Sequence, residues 1–221
     1  IKKTDDGVRQ QALSRIEQAV KRMTGLVQQL LTFSRIESDP SYLTKQPIKL
    51  SNEIIQIIAE MEPEAHKKHI TMGFDNDTDG LVMVNSLLIT ILIRNIVDNA
   101  IKYTPRGGKI LISLTAQGKR PCLCVEDSGP GIPTEQLENA YQRFYRCVET
   151  ANHAQGSGLG LSMVKRIAAL HHAELQMTQS RFGGLSIALL FQPQQSDYTV
   201  APNINSDFFK KPPYAWHQLK K

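Results

Sequence analysis

QGSGLGLSMVKRIAALHH, Gln155–His172, is the stretch on which the reading of the fold turns. Three glycines alternate with Ser157 and Leu159, and a helical pattern begins at once. A dinucleotide-binding fold requires G-x-G-x-x-G straight after a hydrophobic strand. Here Gly156, Gly158 and Gly160 make G-x-G-x-G, Leu161 stands at the third glycine position, and the preceding YQRFYRCVETANHA is polar. A Walker loop ends in Gly-Lys-Ser or Gly-Lys-Thr, and this stretch has neither. What remains is a glycine-rich turn opening a helix. Such a turn presents free N–H groups and the positive end of a dipole, which suits an anion. Plain helix caps use the same residues.

The surrounding segments predict a layered α/β architecture. A helix capped by Ser51 runs through Ile54, Ile55, Ile58 and Met61. HITMGFD reads as a strand, and VNSLLITILIRNIVDNAIKYT as a long helix capped by Asn85 and ended before Pro105. GKILISLTA and RPCLCVED are strands rich in Ile, Leu, Val and Cys, the second ending in DSGPGIP. A polar stretch follows, then the helix after the glycines. AELQMTQS and GLSIALLF close as a hairpin around Gly183-Gly184. This order predicts a two-layer α/β sandwich, one sheet covered on one face by helices.

Upstream, residues 9–37 carry a helical stripe. Leu13, Ile16, Val20, Met23, Val27, Leu30 and Ser34 step by three and four, with Ala12, Ala19, Leu26 and Phe33 repeating every seven beside them. The stripe is broader than a two-stranded seam and suits a bundle helix, which cannot bury such a face alone. SDPSYLTKQP then reads as a linker. The expected divisions are 1–40, a partial bundle helix; 41–193, the α/β domain; and 194–221, a tail. That tail holds four lysines, two aspartates, Phe208, Phe209, Tyr214 and Trp216, without strand alternation.

Composition excludes several classes. The chain has 221 residues, 41% of them hydrophobic, enough for one domain with a core and an appendage. Its net charge of +5 is spread along the chain without a like-charged block, and no nucleic-acid module is present. Cys122, Cys124 and Cys147 form neither a disulfide framework nor a paired zinc motif, and read as reduced thiols. No apolar run reaches the about 18 residues of a membrane span. The chain starts at Ile1 and is expected to be part of something longer.

In RNIVDNAIKYTP, Asn95, Asn99, Lys102 and Tyr103 share one helix face, opposite the apolar Leu92, Ile96 and Ala100. An Asn carbonyl is a hard oxygen ligand suited to magnesium, and a lysine beside it can meet phosphate charge. Asp127, at a strand end before Gly129 and Gly131, can accept hydrogen bonds from an exocyclic amine, while the glycines let a flat ring approach. Glu126 points to the opposite face of the strand, so the two carboxylates are not an acid/base pair.

In order, RNIVDNAIKYTP, DSGPG, RFYR and GSGLGLSMVKRIA resemble the N, G1, F and G2 boxes of sensor histidine kinases. TGLVQQLLTFSRIES resembles the second helix of that family's dimerisation bundle, and the wording around LLTFSRIES and FYR is similar to the QseC/PmrB-like branch. The likeness covers about residues 9–192. It implies a Bergerat (GHKL) ATP-binding fold with a mixed sheet and helices on one face, ATP and magnesium as ligands, and protein-histidine kinase activity. It implies that Asn99 holds magnesium with Asn95 beside it, that Lys102 meets phosphate oxygens, and that Tyr103 lines the ribose–phosphate side. Asp127 takes the adenine amine, with Gly129 and Gly131 shaping the pocket. Gly156, Ser157, Gly158, Leu159 and Gly160 close over the triphosphate as part of a mobile lid, and Arg146 reaches the γ-phosphate. The implied partners are a second copy, through the heptad helix, and the receiver domain of a response regulator. The implied setting is the cytoplasmic side of a bacterial inner-membrane protein.

Two departures stand out. Ser128 replaces the family's usual Asn, and His172-Ala173 replaces a usual glycine. None of the six histidines lies in the family's His-Glu/Asp-x-Arg-Thr/Ser-Pro acceptor box, so the acceptor is expected upstream of Ile1. His171 reads as a helix-end histidine. Two other readings carry weight: a hydrolysing GHKL ATPase, which the absence of a glutamate in IRNIVDN argues against, and a kinase-inactive scaffold, which the retained Asn99, Asp127 and glycines argue against.

Overall fold

The computed structural model of the chain describes residues 44–147 and 157–193, together with positions 9, 10, 12, 13, 16, 17, 20, 23, 24, 27, 31 and 34. Residues 38–43 of the expected linker (38–47), the tail over 194–221, and Ala19, Leu26, Leu30, Phe33, His153 and Gly156 lie outside the described residues; the described end of that linker departs from the expectation, since Gln46 and Pro47 belong to a strand. The described positions between 9 and 34 are helical, and Leu13, Ile16, Val20, Met23 and Val27 are all exposed.

Seven strands follow: β1 (Gln46–Lys49), β2 (Thr71–Asn76), β3 (Leu81–Val84), β4 (Lys109–Gln117), β5 (Arg120–Asp127), β6 (Glu174–Gln179) and β7 (Leu185–Leu190). Three helices accompany them: α1 (Leu50–Lys67), α2 (Ser86–Tyr103) and α3 (Gly160–Leu170). The main sheet has the order β2-β4-β5-β7-β6. Only its β2–β4 pair is parallel, so the sheet is mixed as expected. β1 and β3 form a separate antiparallel pair that the sequence reading did not assign.

Alternation sorts the strands. Ile110, Ile112 and Leu114 of β4, Leu123 and Val125 of β5, and Ile187 and Leu189 of β7 share one core with Leu88, Leu92 and Ile96 of α2 and Val164 and Ile167 of α3. Burial of each such side chain contributes about 1.5–3 kcal/mol. The helices lie on one face of the sheet, which leaves the ends of β5 and α2 to meet at a common rim.

Of two expected helix caps, one needs correction and one holds. Ser51 does not cap α1: the helix begins at Leu50, its N-cap is Lys49 without a side-chain bond, and Ser51 is buried with its N–H donating to Asp79 O. The loop between β2 and β3 already supplies that acceptor, so no hydroxyl is needed. Asn85 does cap α2, its Oδ1 accepting from Leu88 N at 3.1 Å.

Candidate functional site

The polar face of α2 lines a groove with two connected chambers. The inner chamber, about 670 Å³ including its open mouth, is walled by apolar side chains, among them Ile96, Val125, Leu161 and Ile187, with Asp127 on its lining. The outer chamber, about 500 Å³, is lined by Asn95, Asp98, Asn99 and Lys102 of α2 and by Ser157, Gly158 and Gly160. Asn99, Tyr103 and Tyr145 border both. Ile96 and Ala100, read in the sequence as the buried stripe, thus also wall the inner chamber.

Asp127 closes β5 and is 6% exposed. Its Oδ1 accepts from Gly129 N at 2.8 Å and Leu185 N at 3.2 Å. Burial raises its pKa above the ordinary carboxylate value, and the two backbone bonds oppose that rise. A side chain on Gly129 would meet Asp127 Oδ1 and Tyr103 O, each at 2.9 Å. Gly131 adopts φ +71°, a left-handed conformation that glycine takes without strain. Gly184 escaped the sequence reading: a Cβ there would sit 2.2 Å from Asp127 Oδ1. The signal was the second glycine of Gly183-Gly184, since the turn itself needs only Gly183, at φ +91°.

The close neighbours of the other glycines are protein atoms. A Cβ on Gly158 would lie 2.6 Å from the Phe144 carbonyl carbon, and Phe144 N donates to Gly158 O at 2.9 Å. Gly160 faces Asn95 Oδ1 at 3.2 Å and Asn99 Nδ2 at 3.4 Å from its ideal Cβ, so the start of α3 lies directly on the amide face of α2. That start has no side-chain cap, although Ser157 Oγ accepts from Leu159 N at 3.3 Å. Leu159 is buried and lines neither chamber.

The α2 side chains have identifiable partners. Asn95 Nδ2 donates to Ile91 O at 2.8 Å. Lys102 is paired with Asp98, one turn earlier. Asp98 was missed, though its i, i+4 spacing to Lys102 is legible in DNAIK. Arg146 lines the inner chamber beside Cys147 and not the outer one. Phe144, at φ +64° and tied to Gly158, sets the path of the chain there. Tyr145 follows it into the groove, its hydroxyl donating to Gln136 Oε1 at 2.9 Å.

The two departures are accommodated locally. Ser128 Oγ accepts from Lys109 N at 2.8 Å and Ser128 N donates to Lys109 O at 3.0 Å, which fastens the Asp127 loop to β4. His172 takes φ +52°, the left-handed position that suits a glycine. None of the three cysteines is in a disulfide; burial pushes Cys122 up to about 12 and Cys124 up to about 11, which disfavours the thiolate of both. Among the described residues no His, Cys, Asp and Glu group fits a metal ion, and no helix is long and apolar enough to cross a membrane.

Comparison with known proteins gives a consistent picture. Residues 84–195 match the family of histidine kinase-, DNA gyrase B- and HSP90-like ATPases. The chain is 30% identical over 203 residues to the sensor protein kinase PmrB of Pseudomonas aeruginosa, covering 91% of this chain and 42% of that protein. It is 33% identical over 181 residues to the sensor protein QseC of Escherichia coli K12, covering 81% of this chain and 39% of that protein. It therefore spans less than half the length of either relative. The catalytic domain of the histidine kinase ThkA, in a nucleotide-free form, superposes with a TM-score of 0.60 at 26% identity, covering 66% of this chain and 96% of that one.

Proposed function

The chain belongs to the histidine kinase-, DNA gyrase B- and HSP90-like ATPase family, with an ATPase domain of the sensor-kinase type, and from that premise we propose that it binds Mg-ATP in the two-chambered groove and transfers the γ-phosphoryl group to a histidine outside residues 1–221. A response-regulator receiver domain then takes the phosphoryl group. One observation carries the reading. The amide face of α2, the buried Asp127 and the uncapped first turn of α3 converge on a groove whose inner half is apolar and whose outer half is polar.

An adenine ring fits the apolar chamber, where Asp127 would accept its amine. Both backbone bonds fall on Oδ1, so Oδ2 is assigned to the amine. Tyr103 lies between the chambers, where a ribose passes. The phosphates then meet Lys102, Asn95 and the N–H groups that open α3, an arrangement suited to anions. Asn99 is the proposed magnesium ligand, its carbonyl oxygen being of the right hardness. When bound, the metal would neutralise phosphate charge during in-line transfer. Arg146 is assigned to the γ-phosphate, which requires its guanidinium to leave the inner chamber. The setting that fits is the cytoplasmic portion of a membrane-anchored bacterial kinase, paired with a second copy through residues 9–37.

Radiolabelled Mg-ATP with the chain alone, and with a histidine-bearing acceptor domain from a related kinase, tests this. The chain alone is expected to gain no acid-labile label, and the acceptor domain to gain it slowly, since no covalent tether raises the local concentration. Arg146→Ala should reduce that transfer more than it reduces ATP binding. Strong labelling of any of the chain's own six histidines would overturn the placement of the acceptor.

A further inference from the structure

Asp98 is the one carboxylate among the described residues lining the outer chamber. Lys102 Nζ donates to its Oδ2 from one helical turn away. The two side chains are 38% and 40% exposed, so a ligand arriving from solvent meets the pair directly. The rest of that wall is neutral or electropositive: two amides and the uncapped start of α3. A carboxylate here lowers the potential an anion meets, and it occupies the chamber's one lysine among the described residues. Solvated as it is, the pair adds little to the stability of the fold.

We infer that Asp98 is an intramolecular competitor for Lys102: phosphate oxygens reach the lysine only by displacing the Asp98 carboxylate, so Asp98 sets how strongly the site responds to phosphate charge. The inference rests on the nucleotide reading above. It requires that the effect of Asp98 depend on a phosphate in the ligand and on Lys102 in the protein. It does not require a metal.

Calorimetry of the full chain with ADP and with adenosine, each in magnesium and in EDTA, tests it. Asp98→Asn, which keeps the side-chain shape, is expected to tighten ADP about threefold to tenfold at low salt in both conditions and to leave adenosine unchanged. In a Lys102→Met background the same substitution should lose most of that gain. Unchanged or weaker ADP binding in Asp98→Asn would overturn the inference. So would weakening confined to magnesium, which marks a metal ligand, or an undiminished gain without Lys102, which marks general repulsion. If the unaltered chain binds no ADP, the nucleotide reading fails and takes this inference with it. ADP binding that is indifferent to Asp98 fails the inference alone.

Discussion

Asp127 shows how the site is built against stability. Its carboxyl is desolvated, and burial raises its pKa from the ordinary 3.8, so ionising it costs more in the fold than in the unfolded chain. The unfolded chain loses that proton freely above 3.8, while the folded chain holds it until its own higher pKa. The group therefore contributes most below 3.8, and the contribution is lost as pH rises through the folded value. Asp127→Asn retains an acceptor for Gly129 N and Leu185 N but removes the charge. Thermal melts across acidic to neutral pH are expected to show the variant gaining on the parent as pH rises from about 3.8, with a constant gap once the parent's Asp127 is ionised. The variant should also lose adenine recognition, because an amide N–H₂ cannot accept an amine. A gap that does not grow with pH would contradict the desolvation account. Gly184 belongs to the same design, since any larger residue would occupy the space of the carboxylate.

At the scale of elements, α2 is held at both ends. At its C-terminus Lys68 Nζ donates to Ile101 O, Lys102 O and Thr104 O at 2.7, 2.9 and 2.9 Å, satisfying carbonyls that the helix leaves open. At its N-terminus the Asn85 N–H donates to His171 Nε2 at 3.0 Å, while His171 Nδ1 donates to Ile167 O at 2.8 Å. His171 thus joins the end of α3 to the start of α2, and the hydrogen bonds require the neutral ring with its proton on Nδ1. A helix C-terminus favours imidazolium, but here burial wins. It lowers the pKa from 6.5, aided by Lys45 and His172 and opposed by the bond to Ile167. This contribution is present above 6.5 and is lost as pH falls through the folded value. Urea titrations at pH 7 and below 6 are expected to show a smaller acid loss in His171→Gln, which keeps an acceptor near Asn85 N but does not titrate. An identical acid loss in both proteins would show that His171 is not its source.

For the whole molecule, the decisive feature is the contrast between a well-buried α/β core and the described apolar positions between 9 and 34, which are open. Leu13, Ile16, Val20, Met23 and Val27 are 58%, 60%, 57%, 67% and 54% exposed. A stripe this regular is costly to leave in water. Light scattering over a concentration series is expected to show reversible association through residues 9–37, abolished by Val20→Glu with Met23→Glu. A strict monomer at high concentration, with the helix formed by circular dichroism, would contradict it.

The sequence by itself determined the two-layer sandwich with helices on one face, the Asn85 cap, and the face of α2 that presents Asn95, Asn99, Lys102 and Tyr103. These are local quantities: period, spacing and turn chemistry. It also marked Asp127 and the glycine turn, because a charged residue at a strand end and three alternating glycines are legible without partners. Only the tertiary structure decided the rest. The β1–β3 pair joins two four-residue strands far apart in the chain, too short for alternation to announce them. Ser51 lost its capping role to an acceptor supplied by Asp79. Gly158 and Gly184 proved to be spacing for protein atoms, and Arg146 faced the inner chamber. Lys68 and His171 found their partners 33 to 36 and 86 residues away. In each case the deciding term was a contact between segments distant in sequence, which no local pattern encodes, because packing chooses among side-chain partners only after the layers have closed.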